Sequence, residues 1–167
     1  IRGLYIRRLH FCLYASIASV ALLLPLLISH AANAATTIYI RDDLTGGDCL
    51  SIGTWDNATK TCTLSTDIEQ GIDITGGNLT VDGAGHSVTG INGGIGVNMD
   101  SRTGVTVKNL TVRNFDIGIY ISGPFSQESS NILQNNNVSD NASYGIVLHK
   151  SRGNHLSGNI LNANKYN

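Results

Sequence analysis

Three histidines and one methionine lie in residues 35–167, and they are the side chains with which this part of the chain could bind a transition metal. Imidazole and thioether groups are ligands that transition metals accept. His149 and His155 lie six residues apart and form a candidate metal pair. The alternative is that both are exposed polar side chains separated by a turn. His86 lies in a glycine-rich turn, where we expect a structural role, and Met99 is the remaining soft ligand.

Aromatic residues are the second group that could contact a ligand. Tyr120, Tyr144, Tyr166 and Phe125 are the candidates. An aromatic ring with a polar edge can stack on the apolar face of a sugar and still hydrogen-bond to it. Tyr144 and Tyr166 fall near the same position of a sequence repeat. The alternative is that these rings pack beside turns of the protein itself.

The repeat becomes visible when glycines are aligned. The segments at 96–99, 118–121 and 145–148 all read Gly, apolar, any residue, apolar, and they are separated by steps of 22 and 27 residues. We interpret residues 123–127 in the longer step as a loop insertion. The apolar stretches are short, rich in β-branched residues and bounded by Gly, Asn, Asp and Ser, which predicts short strands and turns.

Six asparagines recur in two columns of this repeat. Asn109, Asn136 and Asn159 form one column, and Asn114, Asn141 and Asn164 form the other. Asparagine tolerates the left-handed backbone of turns, and its amide can hydrogen-bond to the chain above and below in a ladder.

These columns predict an all-β fold, a single-stranded right-handed parallel β-helix (solenoid) over residues 67–167, with coils of about 22 residues. The columns themselves do not fix the hand of the solenoid, although right-handed crossovers dominate between parallel strands. A β-sandwich has longer alternating strands without a fixed repeat, and a propeller blade needs about 40 residues. Core residues shift by one between Leu110–Val112 and Val138, which suggests a bulge in the earlier strand.

Acidic residues do not recur at any one position of the repeat. Cleavage of a polysaccharide needs clustered acidic groups together with a general base. The position four residues after each repeat glycine reads Asp100, Ser122, His149, and Asp116 and Asp140 fall in other registers. The sequence therefore favours a non-catalytic role and predicts no catalytic residue in this stretch.

Residues 1–34 have the organisation of a secretory signal peptide. Arg2, Arg7 and Arg8 precede an apolar run from Phe11 to Ile28, and an Ala-Asn-Ala site follows at 32–34. This pattern predicts export to the periplasm, cell surface or exterior, with the membrane involved only through the signal. The alternative is an uncleaved anchor, because the run is nearly long enough to span a bilayer.

Residues 35–66 precede the repeats, and we interpret them as an N-terminal cap that covers the open end of the solenoid. Cys49 and Cys62 are an even pair in an exported chain, which favours a disulfide over two free thiols. The chain begins with Ile rather than Met, and its last coil ends one residue before the next expected glycine. We therefore interpret the sequence as a truncated fragment.

The amino-acid composition and the net charge exclude one class of binding partner. The chain has 167 residues with 19 Gly, 17 Asn and 2 Pro, and its net charge is −1. Without the signal it has 8 Lys/Arg against 12 Asp/Glu, a net charge of −4, so it has no basic field that would bind nucleic acid. The hydrophobic fraction of 41% excludes a disordered chain.

The segments 82–90 (Asp-Gly-Ala-Gly-His-Ser-Val-Thr-Gly) and 104–112 (Gly-Val-Thr-Val-Lys-Asn-Leu-Thr-Val), followed by the Asn/Gly coils, resemble right-handed parallel β-helix proteins of the NosD type. That family includes periplasmic copper-binding proteins associated with maturation of nitrous oxide reductase, and many exported surface proteins. The resemblance implies the fold, and it leaves copper as a candidate cofactor.

Three functions remain open. We expect an exported binding or structural module that contacts carbohydrate or cell-envelope components. The first alternative is an accessory factor for maturation of a copper enzyme. The second is a polysaccharide lyase or hydrolase whose site lies in coils outside this sequence.

Overall fold

A computed structural model describes residues 37–123 and 128–167, so the predicted signal and the centre of the loop insertion lie outside the described residues. The described part contains one short helix, α1, and fifteen strands. Their bounds are β1 Ile38–Ile40, α1 Cys49–Ile52, β2 Gly53–Asp56, β3 Thr61–Leu64, β4 Ile72–Ile74, β5 Thr80–Asp82, β6 Ser87–Thr89, β7 Ile95–Met99, β8 Thr106–Lys108, β9 Thr111–Arg113, β10 Ile117–Ser122, β11 Ile132–Gln134, β12 Asn137–Ser139, β13 Tyr144–His149, β14 His155–Ser157 and β15 Ile160–Asn162. In these two ranges, no helix has the length and apolar character that crossing a bilayer requires.

The strands form three sheets that the chain visits in turn. Sheet A has the order β1-β4-β7-β10-β13, sheet B the order β14-β11-β8-β5-β3-β2, and sheet C the order β15-β12-β9-β6. From β4 onward the sequence A, B, C occurs four times, and we number these passages coils 1 to 4. Each strand pairs in parallel with the equivalent strand of the next coil. This confirms the predicted all-β parallel solenoid.

Inward-facing side chains of successive coils stack into columns that form the core. In sheet B, Val81, Val107 and Leu133 are in register and fully buried. In sheet C, Val88 and Val112 are in register and equally buried. Burying one such side chain stabilises the fold by about 1.5–3 kcal/mol. Short strands are therefore sufficient for a stable fold, because every coil adds side chains to the same buried columns.

The segment before coil 1 extends sheet B at its N-terminal end. Strands β2 and β3 pair as an antiparallel hairpin, and β3 continues into the parallel sheet through β5. Cys49 in α1 and Cys62 in β3 form a disulfide with their Cα atoms 5.8 Å apart, which confirms the predicted pairing. Trp55 lies opposite Cys62 and packs against the core.

Asparagines join coils 2, 3 and 4 at the corners of the solenoid. Oδ1 of Asn136 accepts the backbone N–H of Leu110 at 3.2 Å, and Oδ1 of Asn159 accepts that of Asn136 at 3.0 Å. Nδ2 of Asn136 donates to the Val107 carbonyl at 2.9 Å, and Nδ2 of Asn159 to Leu133 at 2.8 Å. Each side chain therefore satisfies two backbone groups of the preceding coil.

The second ladder repeats this geometry one corner further along the chain. Oδ1 of Asn141 accepts the N–H of Phe115, and Oδ1 of Asn164 accepts that of Asn141, both at 3.0 Å. A third ladder of Asn131 and Asn154 was missed from the sequence. Its signal was present, because the Asn131–Asn154 spacing equals that of Asn136 and Asn159.

Two predicted ladder residues, Asn109 and Asn114, lie one position before the ladders. They have left-handed backbones, with φ of 52° and 60°, and act as turn residues. Nδ2 of Asn109 donates to Asp82 at 3.0 Å. The ladder positions of coil 2 are occupied instead by apolar residues, among them Leu110 and Phe115.

The bulge expected near Leu110 is also a misinterpretation of the register. Val112 pairs directly with Val138, and Val138 with Leu161, without an extra residue in the strand. The extra residue lies in the turn before β13, where residues 140–143 replace the three residues 114–116 of the preceding coil. Aligning the chain on its glycines therefore moved the asparagine columns by one.

Candidate functional site

The outer face of sheet A carries one continuous row of side chains along the solenoid axis, most of them polar or aromatic. Its members are neighbours in strand register, from the N-terminal end to coil 4: Tyr39, Asp73, Asn98, Tyr120 and Val147. Neighbouring strands lie about 4.8 Å apart. Successive coils therefore present one side chain each at short, regular intervals.

A second, more apolar row runs beside the first. Ile95, Ile117, Tyr144 and Tyr166 are aligned in register. The rings of Tyr144 and Tyr166 stack with centroids 5.0 Å apart, and their residues are 44% and 50% exposed. Ile117 and Tyr120 are three residues apart on one strand, so the rows are separated by about 10 Å.

Glycine places both rows on the same face. A Cβ atom at Gly118 would lie 2.4 Å from Cγ1 of Val138 and 2.6 Å from the carbonyl oxygen of Gly145. The residue after it, Ile119, is fully buried as well. Two consecutive inward positions therefore turn Ile117 and Tyr120 outward together.

A cleft of about 390 Å³ opens at the N-terminal end of this face. Asp73 and Asn98 of the first row line it, together with residues 69–71 and with Gly90, Ile91, Gly93 and Gly94. Nδ2 of Asn98 donates to Oδ1 of Asp73 at 3.4 Å. Oδ1 of Asn98 is buried and has no hydrogen-bond partner within the described part of the chain.

The parallel strands and their repeated order from coil to coil agree with the protein family that the chain matches. The family model of the right-handed β-helix region matches residues 28–167. The chain belongs to the right-handed β-helix family. Comparisons with curated proteins and with solved structures give no match. This family match agrees with the right-handed solenoid described above.

The β-helix brings the three predicted tyrosines to one face, with Tyr144 and Tyr166 in contact and Tyr120 in the neighbouring row. Sequence reasoning did not find Asp73, Asn98 or Tyr39. Their signal is weak, because a single polar or aromatic residue between two buried ones marks any half-buried strand.

The predicted histidine pair lies on two different sheets of the β-helix. His149 ends β13 in register with Ser122, and His155 begins β14 in register with Ile132. Both are exposed, whereas Met99 is fully buried in the core. Nδ1 of His86 lies 3.3 Å from Oδ1 of Asp67. Across residues 37–123 and 128–167, no three His, Cys, Asp or Glu side chains group as metal ligands.

The Asp100, Ser122, His149 column is aligned in space as its spacing indicated. Oγ of Ser122 donates to Oδ1 of Asp100, and the backbone of Ser122 pairs with that of His149. A serine nucleophile requires the histidine between the hydroxyl and the carboxylate. Here the serine lies between the other two, so this column is not arranged for nucleophilic catalysis.

Proposed function

We propose that this β-helix is an exported binding module that contacts carbohydrate through the outer face of sheet A. The observation that carries the proposal is the convergence of Tyr120, Tyr144 and Tyr166 on that face, beside the polar pair Asp73 and Asn98. Aromatic rings cover the apolar faces of sugars. Carboxylate and amide groups hydrogen-bond to sugar hydroxyls.

The geometry of the face suits an extended chain better than a compact ligand. Both rows run along the solenoid axis, and each coil adds one residue to each row. Because the rows are fixed by hydrogen-bonded strands, the face is rigid before it binds and little ordering entropy opposes association. We propose a linear saccharide lying along the axis as the ligand.

Export is the second part of the proposal. It rests on the signal-like residues 1–34 together with the Cys49–Cys62 disulfide. Disulfides form and persist in oxidising compartments and are rare in the cytosol. A carbohydrate-binding face is useful at the cell surface or in the periplasm, where envelope polysaccharides are accessible.

A glycan array tests the proposal. We expect the protein to bind linear saccharides, and we expect the Tyr144→Ala/Tyr166→Ala variant to lose this binding. Ile160→Ala is the matched control, because Ile160 is 61% exposed on sheet C and its truncation should leave binding intact. Failure of the protein to bind any glycan, or equal binding by both variants, would contradict the proposal.

The two alternatives have less support. Delivery of copper would depend on His149 and His155, which lie on different sheets. Cleavage of polysaccharide would depend on acidic residues of the cleft, where Glu69 and Asp73 are the carboxylates. The described lining of the cleft includes no histidine, lysine or arginine beside these carboxylates to act as base.

A further inference from the structure

The chemistry of the cleft indicates which saccharide it would accept. Its described lining contains two carboxylates, Glu69 and Asp73, and neither lysine nor arginine. Glu69 is exposed and Asp73 is half-buried. A ligand in this cleft therefore meets a negative field that no lining cation offsets, and an acidic sugar such as a uronate would be repelled.

The two carboxylates add hydrogen-bond acceptors to a lining whose other polar side chains, Thr37, Gln70 and Asn98, each carry both donors and acceptors. Ionised carboxylates only accept hydrogen bonds. The amide of Asn98 donates to Asp73, which leaves its Oδ1 atom as a buried acceptor without a partner. Leaving a buried acceptor unsatisfied costs about 1–3 kcal/mol. The atom is closed to solvent in this structure, and a ligand donor that reaches it after a small movement of the lining recovers this free energy.

Apolar surface borders the acceptors. Ile95 and Phe115 line the cleft, and Ile91, in its wall, is 89% exposed. The volume of about 390 Å³ falls within the range of small-ligand sites, about 300–1,000 Å³. The cleft therefore combines space for one sugar ring, apolar side chains and two carboxylates.

We infer that this cleft selects an amine-bearing saccharide, a unit of the glucosamine type whose amino group is free and protonated. An ammonium group carries three donors and no acceptor, and this matches the two carboxylates and the free Oδ1 of Asn98. N-acetylation removes the charge and replaces the ammonium with an amide that has a single donor. The inference rests on the proposed saccharide-binding function and specifies its substrate class.

The test compares three tetrasaccharides by isothermal titration calorimetry at mildly acidic pH: β-1,4-linked glucosamine, its fully N-acetylated form, and galacturonic acid. We expect the glucosamine tetramer to bind at least about tenfold more tightly than the N-acetylated one, the size expected from one favourable charge contact. Added salt should reduce this ratio, because the cleft is open to solvent.

Variants connect the selectivity to the cleft. Glu69→Gln and Asp73→Asn should each bring the ratio of the two affinities towards one. Asp140→Asn is the control, because Asp140 is an exposed carboxylate in a left-handed turn position that asparagine also adopts. Glu69 is exposed, so its variant keeps the test valid even where Asp73→Asn disturbs the sheet.

Two results would separate this inference from the proposed function. Equal affinity for the amine and N-acetyl tetramers, or a ratio unchanged in Glu69→Gln and Asp73→Asn, would overturn the selectivity. If the protein bound these tetrasaccharides without selectivity and Tyr144→Ala/Tyr166→Ala abolished the binding, the saccharide-binding function would stand. Absence of binding by all three tetramers and on the glycan array would reject both.

Discussion

Oδ1 of Asn159 accepts the backbone N–H of Asn136 at 3.0 Å, and the two residues lie in adjacent coils of the solenoid. The same Oδ1 also accepts from Nδ2 of Asn136 at 3.0 Å. Asn136 is 1% exposed, so these groups have no water as an alternative partner. The contact shows why asparagine recurs at this corner. Its side chain supplies the hydrogen bonds that the backbone loses at the left-handed residue before it, Asn135.

The first prediction concerns this ladder. Asn136→Ala leaves the backbone N–H of Leu110 and the carbonyl of Val107 without their partners. Each buried group left unsatisfied costs about 1–3 kcal/mol, so we expect the free energy of unfolding to fall by at least that amount. Urea denaturation measures it.

Asn137→Ala is the control for the ladder, because Asn137 is adjacent and exposed. Surface substitutions of this kind change stability by about 0.5 kcal/mol or less. Equal destabilisation by the two variants would show that the ladder contributes nothing specific.

The extent to which the sequence predicts this molecule differs between fold and site. The recurring asparagines and glycines predict the solenoid, because each coil meets the same steric and hydrogen-bonding requirements. They do not predict the register, because asparagine suits both the left-handed turn, as Asn109 does, and the ladder, as Asn136 does. Only the strand pairing separates the two roles.

The candidate site is harder to predict for a different reason. Tyr39, Asp73, Asn98 and Tyr120 occupy one row but belong to three different residue types, so no repeated motif connects them. Glu69 comes from a connecting loop rather than from a strand. Ligand contacts vary freely on an outer face, whereas the core and the corners are constrained, and repetition is therefore informative about fold only.

The second prediction concerns the glycine that places both outer rows on one face. Gly118→Ala introduces a Cβ atom 2.4 Å from Cγ1 of Val138, in a fully packed part of the core. Overpacking of this kind costs about 1–3 kcal/mol, and we expect a lower midpoint of thermal unfolding. Gly93→Ala is the comparison, because nothing lies within 4 Å of its added Cβ. A midpoint that is unchanged in Gly118→Ala would contradict the close packing seen at this position.

The third prediction is a loss of stability in acid that involves Asp43. The pKa of Asp43 is lowered from 3.8 to about 2, chiefly because the backbone N–H of Gly47 donates to its carboxylate, with Thr45 adding a side-chain and a backbone hydrogen bond. Since the folded pKa is the lower one, this contribution is present above pH 3.8 and is lost as the pH falls towards about 2.

Asp43→Asn should therefore flatten the dependence of unfolding free energy on pH between 3.8 and about 2. Some dependence should remain, because the pKa values of Asp56, Asp67 and Asp82 are also lowered. Asn137→Ala serves as the control, because it replaces an exposed side chain and removes no titratable group, and it should leave the profile unchanged. Profiles of Asp43→Asn and the unsubstituted protein that coincide would show that the loop around Asp43 does not persist in solution.

The fourth prediction concerns copper. His149 and His155 lie on different sheets, and the thioether of Met99 is buried, so these three candidate ligands do not share one exposed surface. A stable copper site requires several ligands that converge. We therefore expect the His149→Ala/His155→Ala variant and the unsubstituted protein to take up copper equally and weakly in a titration followed by equilibrium dialysis. Uptake of one equivalent that disappears in the double variant would instead favour a copper role, because only a converging pair could produce a stoichiometric and histidine-dependent site.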